Sequence, residues 1–392
     1  MKSKWKTVEL SEVADLTVGF VGTMASHYTE DGVLFLRSTN IEPFDIKMDD
    51  VKFISRDFHE KIKKSQLNEN DVVIVRTGKP GACTVIPKKT EPWNCSDLVI
   101  IRPNQNELDP VFLASYINLA SGVINAHLVG AVQQHFNVGA AKKMKIPLPS
   151  ISEQKRIASI VRALNDKIKT NCEINDNLYK MVNAYYTYLF KDVECEMTTI
   201  GSYAKCVYSG GTPTTSNAAY WNGSFGWFSS GETRNRFVIS TEKTITQAGV
   251  DNSSTKLAKK HDIVMASAGQ GFTRGQTSML LLDTYVNQSV IVIHAERNVL
   301  PYLFWNLANR YEELRAISDS SSIRGSLTTK MISAFEIPHA DEGSLQVFAD
   351  FAWSVIPRIE NNLLENERLA AIRDSLLPKL MSGEIDVSDI QR

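Results

Sequence analysis

The sequence predicts an α+β protein written as one unit twice. Two mixed α/β domains are each followed by a long helix, and the two helices are expected to form an antiparallel coiled coil within a pseudo-twofold internal repeat. Three observations carry this reading. The order of features returns after 191 residues, close to half of the 392-residue chain. Short β-type runs are separated by Gly, Asn, Asp and Ser turns. Two long stretches place apolar residues at alternating steps of four and three, the spacing of a coiled-coil seam.

The repeat is seen first where Lys145-Ile146-Pro147 returns as Glu336-Ile337-Pro338, and where Asp71-Val72-Val73 returns as Asp262-Ile263-Val264. Thr7 and Thr198 begin the two copies. Each copy opens with β-like runs: VLFLRS, DVVIVRTG and DLVIIRP in the first, FGWFSS, DIVMASAG and SVIVIHA in the second. A helical stretch follows, Pro110–Ala126 in one copy and Tyr302–Ser318 in the other. Ser150-Ile151-Ser152-Glu153 then has capping-box spacing behind Pro147 and Pro149, which predicts a helix start.

The seam of that helix runs Ile157, Val161, Leu164, Ile168, Asn171, Asn175, Leu178, Val182, Tyr185, Leu189. Shifted by 191 it becomes Phe348, Ala352, Val355, Ile359, Asn362, Asn366, Leu369, Arg373, Leu376, Leu380. Both series place two asparagines at the middle, where a buried Asn weakens a seam but fixes its register and partner. The expected organisation is therefore 1–150 first domain, 151–195 central helical region, 196–340 second domain and 341–392 C-terminal helical region.

Composition excludes several classes. Hydrophobic residues make up 43% and charged residues 22%, as in ordinary globular proteins. No run approaches the roughly 20 apolar residues of a membrane span. The opening MKSKWKTVEL lacks the apolar core of a secretory signal, so a cytoplasmic, membrane-free protein is expected. Five cysteines form no C-x-x-C pair and have no histidine partner at finger spacing, so no metal is expected. The formal net charge is −1, but the acidic excess lies in residues 341–392. Residues 1–150 carry 18 Lys and Arg against 17 Asp and Glu, and residues 196–340 carry 13 against 11.

No catalytic constellation emerges. There is no Pro-Pro dipeptide, hence no N/D-P-P-Y/F element of amino-methyltransferases, and no H-E-x-x-H. Gly78-Lys79 lacks the upstream glycine of a phosphate loop. Glu153-Gln154-Lys155 has the E-x-K spacing of half a nuclease site, but it sits in a helix first turn, where Glu is expected for capping. The chain is therefore read as a non-enzyme that binds no cofactor of its own.

The binding chemistry lies in polar loops. In the first copy the candidate DNA-binding residues are Arg37, Asn40, Arg76, Lys79, Gln133, Gln134, His135 and Asn137. In the second they are Thr212, Arg234, Asn235, Arg236, Gln270, Arg274, Ser322 and Arg324. Arg matches guanine edges, Asn and Gln match adenine edges, and Ser/Thr hydroxyls match phosphate oxygens. Equivalent loops recur with different chemistry, as expected of a reader of two different half-sites. The alternative is a non-catalytic coiled-coil adaptor whose duplicated domains bind protein rather than DNA.

The run 140–157, AAKKMKIPLPSISEQKRI, resembles the "iPlPpl.EQ.rI" junction of specificity (S) subunits of Type I restriction-modification systems. Gly211-Thr212-Pro213 resembles the G-T-P found early in their recognition domains, and Leu376–Ile385 (LLPKLMSGEI) resembles their C-terminus. Glu336-Ile337-Pro338-His339-Ala340 departs, lacking the EQ-x-R-I continuation. The resemblance implies two target-recognition domains, each reading half of a bipartite, asymmetric double-stranded DNA target, with the helices as a ruler for the spacer. It also implies partners: two modification subunits that methylate adenine with S-adenosylmethionine and, where the system restricts, two restriction subunits using ATP and Mg²⁺.

Overall fold

The computed structural model describes residues 5–77, 81–127, 137–191, 195–269, 273–320 and 325–388, with only the backbone at 121–127 and 320. The chain divides into two compact units: Met1–Lys169 with Glu367–Arg392, and Thr170–Asn366. These units cut across the helical segments, so each contains one globular domain and part of both long helices. Among the described residues, no helix is long and apolar enough to cross a membrane.

In the first unit a four-stranded antiparallel sheet holds strand 72–75 at its centre, between 83–85 and 98–103, with 14–18 beyond. Strand 72–75 and residues 98–101 beside it are apolar on both faces because both faces are covered. Val72, Ile74, Val99 and Ile101 pack toward the helical layer with Phe112, Leu113, Ile157 and Leu380. Val73, Val75, Leu98 and Ile100 face the second, five-stranded sheet through Leu36, Leu67 and Cys95. The result is helix on sheet on sheet.

The second unit follows the same plan. Ile263, Met265, Ile291 and Ile293 face the helices, while Val264, Val290 and Val292 face Phe228 and Val286 of the smaller sheet. Each copy closes on itself. Strand 6–9 pairs with 145–148, Thr7 opposite Pro147, and strand 197–199 pairs with 336–338, Thr198 opposite Ile337. The repeat read from the sequence is thus a repeat of structure.

The long helices are Ile151–Phe190 and Glu342–Ser382, each about 60 Å at 1.5 Å per residue. Every predicted seam residue is buried or half-buried. Within the second unit the helices run antiparallel: Asn171 Nδ2 donates to Asn366 Oδ1 (2.9 Å) and Asn362 Nδ2 donates to Asn175 Oδ1 (2.8 Å). These two bonds exchange under the 191-residue shift. Asn171 also donates to Glu365 (2.7 Å), so the buried amide is satisfied. In the first unit Arg373 enters the seam, donating to Asn165 (3.0 Å) and lying over the Phe44 ring (4.6 Å).

One helix differs from expectation. The stretch predicted as Tyr302–Ser318 is broken into Leu300–Asn309 and Tyr311–Ser320. Arg310 leaves the helical conformation at the break. Its guanidinium donates to the Glu336 carbonyl (2.7 Å) and to Glu313, and stacks on Phe335 (4.1 Å).

A pH dependence follows from the turn before strand 263–266. His261 has φ 79°, and its counterpart in the first copy, Asn70, has φ 69°. The imidazole packs 4.6 Å from Trp353 of the second long helix, whose indole is stacked by Arg297 and donates to the Arg297 carbonyl. Burial, then Arg297 and Lys260, hold His261 below its ordinary range, with Glu360 opposing. A histidine held neutral in the fold loses stability as pH falls: the loss begins near the unfolded pKa of about 6.5 and is complete below the folded value. His261→Asn, which keeps a residue tolerant of positive φ, should flatten this part of the profile. Denaturant midpoints measured from about pH 7 to about pH 5 check it. Identical slopes for the two proteins would contradict the assignment.

Candidate nucleic-acid interface

In the first unit three loops meet at the ends of the parallel strands 33–36 and 93–95. Gly19 N–H donates to the Leu98 carbonyl and Phe20 N–H to that of Cys95 (both 2.8 Å), which brings in loop 19–22. Ser96 N–H donates to the Leu36 carbonyl (3.0 Å), and Ser38 Oγ donates to that of Asp97 (3.4 Å), bringing in 37–40. Val75 pairs with Leu98, so Arg76 emerges beside them.

Arg37 and half-buried Arg76 therefore stand at this end. Arg37 is held by Asp50 (2.9 Å), a carboxylate that Lys52 and Arg37 push down to about 2. Asn40 is 1% exposed: its Oδ1 accepts from Arg37 N–H (3.0 Å), and its Nδ2 donates to the Lys47 and Asp49 carbonyls. Its counterpart Glu232 accepts from Ser229 N–H (2.8 Å). Asn137 accepts from Ala140 N–H to cap helix 138–142, as Thr328 accepts from Met331 N–H to cap helix 329–333. Asn40 and Asn137 thus occupy capping positions that the two copies share. Lys79, Gln133, Gln134 and His135 lie outside the described residues.

The second unit builds the same end with different side chains. Gly211 N–H donates to the Val286 carbonyl (3.1 Å), and Asn287 N–H to that of Phe228 (3.1 Å). Ser267 N–H donates to the Ser289 carbonyl, and Leu327 N–H to that of Ser267 (both 2.8 Å). Thr212, the turn 287–289 and the hairpin after strand 263–266 are thereby gathered. Thr212 Oγ1 donates to the amide oxygen of Gln288.

The nominated arginines of this copy have carboxylate partners. Arg274, on that hairpin, donates to the Gly325 carbonyl (2.7 Å) and pairs with Asp319. Arg234 pairs with Glu242 and donates to the Gly231 carbonyl. The Asn235 carbonyl accepts from Ser278 Oγ (2.6 Å), while its side chain is exposed. Arg236 is drawn to the first long helix, 3.1 Å from Asp176 and 4.5 Å over the Tyr179 ring. Thr212 and the end of strand 263–266, whose hairpin carries Arg274, both reach the turn 287–289, and Arg236 serves the domain–helix contact. Gln270, Ser322 and Arg324 lie outside the described residues. Loop 19–22, Asp97 and Gln288 were not nominated. The 191-residue shift is the signal for them, because it places Val21 on Thr212 and Asp97 on Gln288.

A model of the Type I restriction modification DNA specificity domain matches residues 2–180 and again 193–344. The chain belongs to this family. It is 30% identical over 208 residues to the specificity subunit of the Type I restriction enzyme EcoR124I/EcoR124II of Escherichia coli, covering 50% of this chain and 51% of that one. It is 24% identical over 183 residues to the HindI specificity subunit of Haemophilus influenzae, covering 46% and 39%. The chain thus spans about half or less of the length of these curated relatives. The solved S subunit of a Type-I restriction-modification system from M. genitalium has the same fold, with TM-score 0.58 over 97% of this chain and 96% of that one at 16% identity. The two specificity-domain matches correspond to the two copies of the repeat. Among the described residues no group of three or more His, Cys, Asp or Glu is placed to hold a metal ion.

Proposed function

We propose that this chain is the DNA-specificity subunit of a Type I restriction-modification complex. In this reading each copy of the specificity domain binds one half of a bipartite duplex target. The observation that carries it is the conserved frame with exchanged loop chemistry. Arg37, Arg76, Val21 and Asp97 surround the loop end of the first copy, and Thr212, Arg274 and Gln288 that of the second. A protein-binding adaptor gives no reason for such an exchange at matching positions.

The chain itself performs no chemistry in this reading. Two modification subunits supply adenine methylation with S-adenosylmethionine, and restriction subunits, where present, supply cleavage with ATP and Mg²⁺. The long helices set the distance between the half-sites. Inserting four residues, about one turn and 6 Å, into both helices at positions related by the repeat should change the spacer length that the assembled complex selects. An unchanged spacer would contradict the ruler.

Charge sets the affinity. Duplex binding rests largely on phosphate neutralisation by Lys and Arg and weakens with salt. Here Arg37, Arg234, Arg236 and Arg274 already face carboxylates of their own chain. The isolated chain should therefore bind duplex DNA no more tightly than about micromolar at physiological salt, with the modification subunits supplying further basic surface. Nanomolar, sequence-selective binding by the isolated chain in a titration would overturn this.

A further inference from the structure

Two loop positions recur in the two copies with different side chains. In the second copy Gly210 and Gly211 lie so close to the neighbouring strand that an added Cβ would sit 1.9 Å from the Val286 carbonyl oxygen and 2.1 Å from Ser254 Oγ. This approach delivers Thr212 to Gln288. The turn carrying Gln288 is rigid: Asn287 is buried, its Oδ1 accepts from Ser289 N–H (3.0 Å), and its backbone bonds to Phe228. Gln288 is exposed, with its amide oxygen held by the Thr212 hydroxyl. A long side chain is thereby oriented before any ligand arrives, leaving its amino group and the second lone pair of its oxygen facing outward.

The first copy repeats the backbone and replaces the chemistry. Phe20 N–H meets the Cys95 carbonyl as Gly211 N–H meets that of Val286, so Val21 stands where Thr212 does. Val21 is 62% exposed, the most exposed of the large aliphatic residues among those described. Asp97, exposed at φ 53°, takes the corresponding place in a turn one residue shorter, its N–H directed at the Phe20 carbonyl (3.4 Å). An unburied valine beside a turn carboxylate with no partner among the described residues gives the fold nothing.

We propose that the pairs Thr212–Gln288 and Val21–Asp97 are equivalent base-reading positions of the two domains, a refinement that rests on the specificity reading above. The Gln288 amide is suited to adenine in the major groove, accepting from N6 and donating to N7 while Thr212 fixes its rotamer. Val21 offers an apolar contact to a thymine methyl, and the Asp97 carboxylate accepts from a cytosine N4 amine. The two halves of the target are therefore read by different chemistry on one backbone frame.

The test is selection of duplexes from a randomised pool by the chain assembled with its modification partner. Gln288→Ala should lower the preference for adenine at one position of one half-site by on the order of 10- to 100-fold, leaving the other half and the spacer unaltered. Val21→Thr combined with Asp97→Gln should change only the opposite half. A Gln288→Ala complex that melts like wild type, loses one half-site entirely and keeps the other also supports the assignment. Unchanged selection in both variants, or equal loss in both halves from either one, overturns it. A wild-type complex that selects no bipartite duplex would refute the specificity reading itself.

Discussion

Gln154→Ala is expected to cost about 2–4 kcal/mol of stability, because it strands three backbone groups at once, two of them on the buried residues Asp109 and Pro149. Gln154 is fully buried. Its Oε1 accepts from Asp109 N–H (2.9 Å), and its Nε2 donates to the Glu107 (2.8 Å) and Pro149 (3.0 Å) carbonyls. Asp109 in turn accepts from Val111 and Phe112 N–H at the start of helix 110–127. One side chain thus ties the start of the long helix to the start of the helix beneath it. Gln154→Leu should fail almost as badly, since it fills the space but leaves the same groups unpaired. The second copy solves the position differently: its counterpart Leu345 is buried in the hydrophobic core. Leu345→Ala should therefore cost about 2–4 kcal/mol through a cavity instead. Glu153→Ala, in the partly exposed first turn, should cost less than about 1 kcal/mol. Denaturant unfolding of the four variants checks the order, and an unchanged midpoint for Gln154→Ala would contradict it.

Gly210→Ala is the change with the largest expected effect on recognition. Its Cβ would lie 1.9 Å from a backbone oxygen, which cannot swing aside as a flexible side chain would. The loop must lift off strand 284–286, separating Thr212 from Gln288. Loss of second half-site selection by on the order of 100-fold is expected, with about 2–3 kcal/mol of stability. Gly231 is the control: an added Cβ there meets nothing nearer than 3.9 Å. Gly231→Ala should leave stability within about 0.5 kcal/mol. Equal behaviour of the two alanine variants in binding selections and melting would refute the account of the Gly-Gly approach.

Much of the fold was legible because it depends on periodicity, which a single sequence carries. The seam residues and the doubly apolar sheet strands follow directly from spacing. The Ser150 cap is realised, with its Oγ accepting from Glu153 N–H (3.3 Å). What spacing cannot carry is the partner of a polar side chain. Arg234, Arg236 and Arg274 look like free cations in sequence, but each finds a carboxylate folded back from 8, 60 or 45 positions away. Asn40 and Asn137 read as candidate base contacts in sequence, and in the structure both cap local backbone. Asn and Asp serve both purposes with the same atoms, so only the accepted N–H distinguishes them. Loop 19–22 reads only as a turn in sequence and was not nominated, because Gly19-Phe20-Val21-Gly22 shares one glycine with Gly210-Gly211-Thr212-Pro213 and the equivalence lies in backbone bonds.

The duplication also accounts for the departure at the second junction. Glu336–Ala340 lacks the EQ continuation because Leu345 replaces the polar latch of Gln154 with apolar packing. Asp341 then caps the helix through Ser344 N–H (2.9 Å), the place that Ser150 holds in the first copy. The strand preceding each junction still pairs antiparallel with the first strand of its copy, Thr7 opposite Pro147 and Thr198 opposite Ile337, one residue out of step under the 191-residue shift.

The central claim is that two domains of this chain direct one modification complex to a two-part target. Mapping of N6-methyladenine by single-molecule sequencing, in cells expressing the chain with its modification partner and in cells lacking only this chain, tests it most directly. The account predicts a methylated motif of two short halves around a fixed gap that vanishes when the chain is removed. Identical methylation with and without the chain, in cells where the complex is expressed and assembled, would contradict it.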